Sequence, residues 1–174
     1  MPKPESIALI GFMGTGKTSV GKALAPKLGF RVMDVDTYIE SHEKRKISEI
    51  FDKSGEAYFR SLEKKAVSEL AQQKGLVITT GGGVVLDPEN IQALRQHALI
   101  IALLASPETI YERVKSSKHR PLLQKEDVMA EIRHLYEDRA PLYQAADLKF
   151  ETDGQTPSQV AQIIFEALNK RNSV

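Results

Sequence analysis

Short apolar runs alternate along the whole chain with stretches whose apolar residues recur every three or four positions. The runs at 7–10, 31–34, 76–80, 98–104 and 147–151 have the length and content of strands. Helical spacing predicts helices over 17–28, 37–43, 47–53, 56–73, 88–96, 107–116, 126–143 and 157–170. In the first of these Val20, Leu24 and Leu28 share a face; in the last, Val160, Ile163, Ile164, Ala167 and Leu168 do. Strands that alternate with helices argue for an α/β fold, a parallel sheet with helices on both faces. On such a sheet ligands sit beyond the carboxyl ends of the strands, so each strand end is a place to look for chemistry.

Composition narrows the classes. The 174 residues suit one domain, residues 1–174, with a sizeable core. A net charge of +1 supplies no field for nucleic acid or an anionic membrane. The absence of cysteine excludes disulfides, thiolate nucleophiles and cysteine-held metals. The first residues lack a signal-peptide layout, and no apolar run reaches membrane-spanning length. The expectation is a cytoplasmic, monomeric enzyme-sized domain that binds neither nucleic acid nor membrane.

The turn after the first strand carries the strongest signal. Gly11, Gly16, Lys17 and Thr18 fill every fixed position of G-x-x-x-x-G-K-[ST], between a strand and a helix. Glycines let successive backbone N–H groups turn inward around an anion, and the helix start adds its positive dipole end. Lys17 is then a cation for the β- and γ-phosphates, and the Thr18 hydroxyl is a hard oxygen suited to Mg²⁺. The pattern points to a nucleoside triphosphate site.

The other strand ends add an acceptor side. Asp34 and Asp36, two apart in an extended chain, would face the same cleft, unless Asp36 caps the helix expected from Thr37. Residues 37–73 hold no convincing strand and read as helices inserted over the cleft, with a break at Gly55. There Arg60 and Glu63 stand three apart, so the acid can steady a guanidinium that grips a carboxylate; a solvated surface pair has the same spacing. Gly81, Gly82 and Gly83 follow the third strand and offer bare backbone to a ligand. The basic stretch 115–123, with Arg113 before it, suits a lid over 113–125 whose Arg120 meets phosphate; by composition alone a solvated connection is the better fit. Pro141 disturbs the following helix just after Arg139, a second arginine within reach of the cleft. The turn at 152–157 would line the nucleotide base. His119 and His134 lack metal-ligand spacing and read as surface residues.

Together these motifs resemble the shikimate kinase family over nearly the whole chain. They are the phosphate loop at 11–18, D-x-D at 34–36, F-R-x-x-E at 59–63, G-G-G at 81–83, R-P-L-L at 120–123 and R-x-P-L-Y at 139–143. The resemblance implies a P-loop three-layer sandwich with a five-stranded parallel sheet in order 2-3-1-4-5. It implies transfer of the γ-phosphoryl of ATP to the 3-hydroxyl of shikimate, with Mg²⁺, in chorismate and aromatic amino acid biosynthesis. By the same resemblance Asp36 binds the hydroxyls and helps take the proton. Arg60 and Arg139 clamp the carboxylate, and Gly81, Gly82 and Gly83 supply backbone contacts. Gly14, Thr15, Gly16, Lys17, Thr18 and Ser19 hold ATP together with Arg113, Arg120 and Gln155. Thr18 and Asp34 serve the metal. Two alternatives remain: a kinase of another small hydroxy acid such as gluconate, and a P-loop module that binds ATP without turnover.

Overall fold

The computed structural model describes residues 4–115 and 127–172. Its strands are β1 (Ser6–Ile10), β2 (Arg31–Asp34), β3 (Leu76–Thr79), β4 (Ala98–Leu104) and β5 (Leu148–Glu151). Its helices are α1 (Lys17–Leu28), α2 (Val35–Glu43), α3 (Ile47–Ala71), α4 (Pro88–Arg95), α5 (Pro107–Val114), α6 (Val128–Arg139) and α7 (Pro157–Asn172). All strand pairs are parallel, in the order β2-β3-β1-β4-β5, as the family resemblance implies.

β1 lies at the centre, with Ile7 opposite Val77 on one side and Leu99 on the other. The pleat sends alternate residues to opposite faces. Ile7 and Leu9 pack with Val20, Leu24, Val160 and Ile164 of α1 and α7. Ala8 and Ile10 pack with Val67, Leu70 and Leu94 of α3 and α4. Both faces are therefore covered, which is why β1, β3 and β4 read as continuous apolar runs, whereas the edge strands β2 and β5 mix apolar with charged residues. Gly21 lets α1 approach the sheet, since a Cβ there would stand 2.5 Å from Cγ2 of Thr79.

The break expected at Gly55 is kept: its backbone is non-helical (φ 81°, ψ 171°) and divides α3 into two helical stretches, as the sequence predicts. Several element boundaries differ from the sequence expectation. α2 starts at Val35, because Asp34 and not Asp36 is its cap: Oδ1 of Asp34 accepts the Thr37 N–H at 2.9 Å. The 126–143 helix ends at Arg139 and tightens into a 3-10 helix over Ala140–Ala145, as the missing N–H of Pro141 requires. A further 3-10 turn, Val84–Leu86, follows the glycines. Among the described residues no helix is long and apolar enough to cross a membrane.

Candidate active site

A cleft of about 580 Å³ opens at the carboxyl ends of the strands. The phosphate loop forms its floor, and Gly14, Thr15, Gly16, Lys17, Thr18 and Ser19 all line it. Lys17 is buried, and its Nζ donates to the carbonyls of Gly11 and Phe12, each at 2.8 Å. Gly16 stands in the left-handed region (φ 90°), where it turns the chain into α1 with the first N–H groups facing the cleft.

Asp34 and Asp36 both line this cleft, but not by the route their spacing suggests. Asp34 ends β2, whereas Asp36 lies in the first turn of α2. The extended-chain premise is therefore corrected, and so is the capping role considered for Asp36. Asp34 Oδ2 accepts from the Thr79 hydroxyl at 2.7 Å and stands 3.5 Å from the Thr18 hydroxyl oxygen. Thr18 and Asp34 thus present only hard oxygen donors side by side, the chemistry that suits Mg²⁺.

Asp36 is half-buried, and its Oδ1 has neither solvent nor a hydrogen-bond partner. Burial raises its pKa from 3.8 to about 6, helped by the negative charges of Asp34 and Glu63 and opposed by Lys17. A carboxylate tuned this way is ionised at neutral pH and a better proton acceptor than an ordinary aspartate.

The Arg60–Glu63 pair is not a solvated one. Glu63 is 1% exposed, and its Oε1 accepts from Arg60 Nη1 at 2.7 Å. Burial pushes the Glu63 carboxyl above the usual range, against the pull of Arg60 and Arg139. The glycine loop covers it: a Cβ on Gly81 would stand 3.4 Å from Glu63 Oε2 and 3.4 Å from Asp36 Oδ1. Gly82 accepts from Arg139 Nη1 at 3.4 Å, and Gly83 lies against the Arg60 guanidinium. Asp36, Arg60, Arg139 and the three glycines therefore converge beside the phosphate loop.

The opposite end of the cleft is lined by Arg113 and Gln155. Arg113 donates to Thr152 Oγ1 (2.9 Å), the Thr152 carbonyl (2.8 Å) and the Gly14 carbonyl (3.1 Å), tying α5 to the phosphate loop. Gln155 Nε2 donates to the Glu151 carbonyl at 3.0 Å. Arg120, His119 and most of the 113–125 segment lie outside the described residues. His134 is exposed and stands 3.6 Å from Asp138. Sequence reading missed Thr79 and Thr152, buried hydroxyls that fix Asp34 and Arg113. Each sits at a strand end, and that position was the one available signal.

A model of the shikimate kinase family matches residues 13–169. The chain is 48% identical over 162 residues to the shikimate kinase of Thermodesulfovibrio yellowstonii, spanning 93% of this chain and 94% of that protein. It is 46% identical over 166 residues to that of Caldanaerobacter subterraneus, spanning 95% and 97%. The fold matches the shikimate kinase from Acinetobacter baumannii in complex with shikimate, with a TM-score of 0.91, 37% identity and coverage of 97% and 94%. The chain belongs to the shikimate kinase family. It is an enzyme, a kinase, and its fold is that of the family. A gluconokinase from Sinorhizobium meliloti, with a TM-score of 0.68 and 17% identity, shares the fold alone. Shikimate kinase membership accounts for a cleft floored by a phosphate loop, with acids, arginines and glycines gathered beside that loop.

Proposed function

We propose that the chain transfers the γ-phosphoryl group of ATP to the 3-hydroxyl of shikimate, giving shikimate 3-phosphate and ADP, on the route to chorismate and the aromatic amino acids. The observation that carries the reading is the convergence of Asp36, Arg60, Arg139 and the Gly81–Gly83 backbone within reach of the phosphate loop. An acceptor with one carboxylate and several hydroxyls matches two arginines, a raised-pKa acid and exposed backbone.

Asp36 receives the hydroxyl proton as the acceptor oxygen forms its bond to the γ-phosphorus. The bond from that phosphorus to the oxygen of the leaving ADP breaks. Arg60, steadied by Glu63, and Arg139 hold the acceptor carboxylate, which fixes the hydroxyl near Asp36. Lys17 leaves its loop carbonyls for the phosphate oxygens, and the loop N–H groups stabilise the charge that develops there. Arg120 adds a second cation from the segment 113–125, which acts as the lid, and residues 37–73 act as the acceptor-binding insert. Arg113 and Gln155 flank the base. Thr18, directly, and Asp34, through water, would hold Mg²⁺, which neutralises the β- and γ-phosphate oxygens when bound. The working unit is a monomer.

ADP release in a coupled assay tests the reading, with Mg-ATP and shikimate, gluconate or no acceptor. Release that needs shikimate and is abolished by EDTA is the expected result. Release with gluconate but not shikimate, or ATP binding without acceptor-dependent release, overturns it.

A further inference from the structure

Arg139 is held by a residue of the phosphate loop. Its guanidinium carbon lies 5.6 Å from the centre of the Phe12 ring. Phe12 is fully buried, and its ring meets Tyr136 edge-on at 5.6 Å and 73°. Its backbone is equally constrained, since its carbonyl accepts from Lys17 Nζ at 2.8 Å and from Thr15 Oγ1 at 2.8 Å. A ring pinned at both ends is a fixed surface for a cation.

The other polar neighbours of Arg139 include the buried Tyr143 hydroxyl and the Gly82 carbonyl. Nη1 donates to Gly82 at the long distance of 3.4 Å. Among the described residues no carboxylate lies within salt-bridge distance of it, in contrast to Arg60 with Glu63. A cation–π contact uses the charge of a guanidinium without consuming an N–H donor. It therefore orients the side chain and leaves the donor fork available for a carboxylate. Both arginines lie against an aromatic ring, Arg60 with its guanidinium carbon 5.3 Å from the centre of Phe59 and Arg139 at 5.6 Å from that of Phe12, but only Arg60 is also paired with a buried acid.

We propose that Phe12 is a positioning residue for acceptor binding, holding Arg139 by its ring face so that its donors meet the acceptor carboxylate. This rests on the reading of Arg139 as a carboxylate clamp. Phe12 occupies a variable position of the phosphate-loop pattern, where the nucleotide chemistry itself asks for no aromatic side chain.

The test is steady-state kinetics of Phe12→Met, which keeps apolar bulk and removes the ring face. The KM for shikimate should rise about 5- to 30-fold, while the KM for ATP stays within about twofold. The rise should shrink to about twofold or less with shikimate methyl ester, which lacks the carboxylate charge, and in an Arg139→Ala background. A purely structural role for Phe12 would disturb the loop and weaken ATP, shikimate and the ester alike, and that result overturns the proposal. If Phe12→Met does not fold, mono- and trifluorinated phenylalanine at position 12 keep the shape and weaken the ring face stepwise. The shikimate KM should then climb with each fluorine, and a flat series overturns the proposal. An Arg139→Ala enzyme with unchanged shikimate KM removes the clamp and the proposal together. A working clamp indifferent to Phe12 removes the proposal alone.

Discussion

Replacing Asp36 by asparagine should make the protein more stable at neutral pH while abolishing turnover. The charge of Asp36 is costly where it sits. Burial, with Asp34 and Glu63 nearby, raises its pKa from 3.8 to about 6. At about 1.36 kcal/mol per pH unit, that rise means the ionised carboxylate costs the native state about 3 kcal/mol. The sign follows from proton counting. Between pH 3.8 and about 6 the native protein holds a proton that the unfolded chain has released. Stability of the parent protein therefore falls as pH rises through that window and is flat for this group above it.

Asparagine keeps the shape and removes the charge. The position of Asp36 Oδ1, which has no hydrogen-bond partner, then carries no charge. Thermal unfolding followed by circular dichroism, without nucleotide, should give Asp36→Asn a melting temperature about 6–12 °C above the parent at pH 7.5. The gap should close as pH falls toward 4. An equal gap at both pH values, or a variant less stable at pH 7.5, would refute the electrostatic reasoning. Loss of activity together with a gain of stability would mark Asp36 as a group held at a cost for its chemistry.

Two other outcomes are expected. In the parent enzyme, kcat/KM for shikimate should climb as pH rises through about 6, because Asp36 must be ionised to accept a proton; a profile flat from pH 5 to 8 would count against that role. Gly83→Ala should raise the KM for shikimate about tenfold or more, with the ATP KM little changed. The new Cβ would stand 2.3 Å from Arg60 Nη1, while the backbone (φ −92°) suits alanine, so only the guanidinium has to move.

The layout of strands and helices was legible because a parallel sheet covered on both faces leaves continuous apolar runs in its central strands β1, β3 and β4, while the edge strands β2 and β5 mix apolar with charged residues. The phosphate loop was legible because its chemistry fixes residue types at fixed spacing. The local geometry of the acids was not. Whether a strand runs two residues further or gives way to a helix is decided by capping, and Asp34 made that choice for Asp36. The Arg60–Glu63 spacing reads the same whether solvated or buried, since the cover over Glu63 comes from residues 81–83, far along the chain. Phe12 sits in a loop with no period, so nothing local distinguishes a buried ring from an exposed one. Its partner Arg139 is distant in sequence, and only folding sets the two together.

The three glycines show how such distant contacts are accommodated. A run of glycine is commonly taken as a sign of flexibility, yet here each position answers to a different charged group. Gly81 gives room to Asp36 and Glu63, both 3.4 Å from the site of its missing Cβ. Gly82 gives room to Arg139, 3.5 Å away, and Gly83 to Arg60, at 2.3 Å. The loop's own backbone is held as well: Val84 N–H donates to the Gly81 carbonyl at 3.2 Å, and Asn90 Nδ2 donates to the Val84 carbonyl at 3.1 Å. None of the three glycines is among the positive-φ glycines. Gly83 therefore contributes absence of volume rather than conformational freedom. A rigid loop with no side chains lets two acids and two arginines of α2, α3 and α6 approach one small acceptor from several sides. Alanine at position 83 should then displace the Arg60 guanidinium, whereas at 81 and 82 its Cβ would make only ordinary contacts with its neighbours.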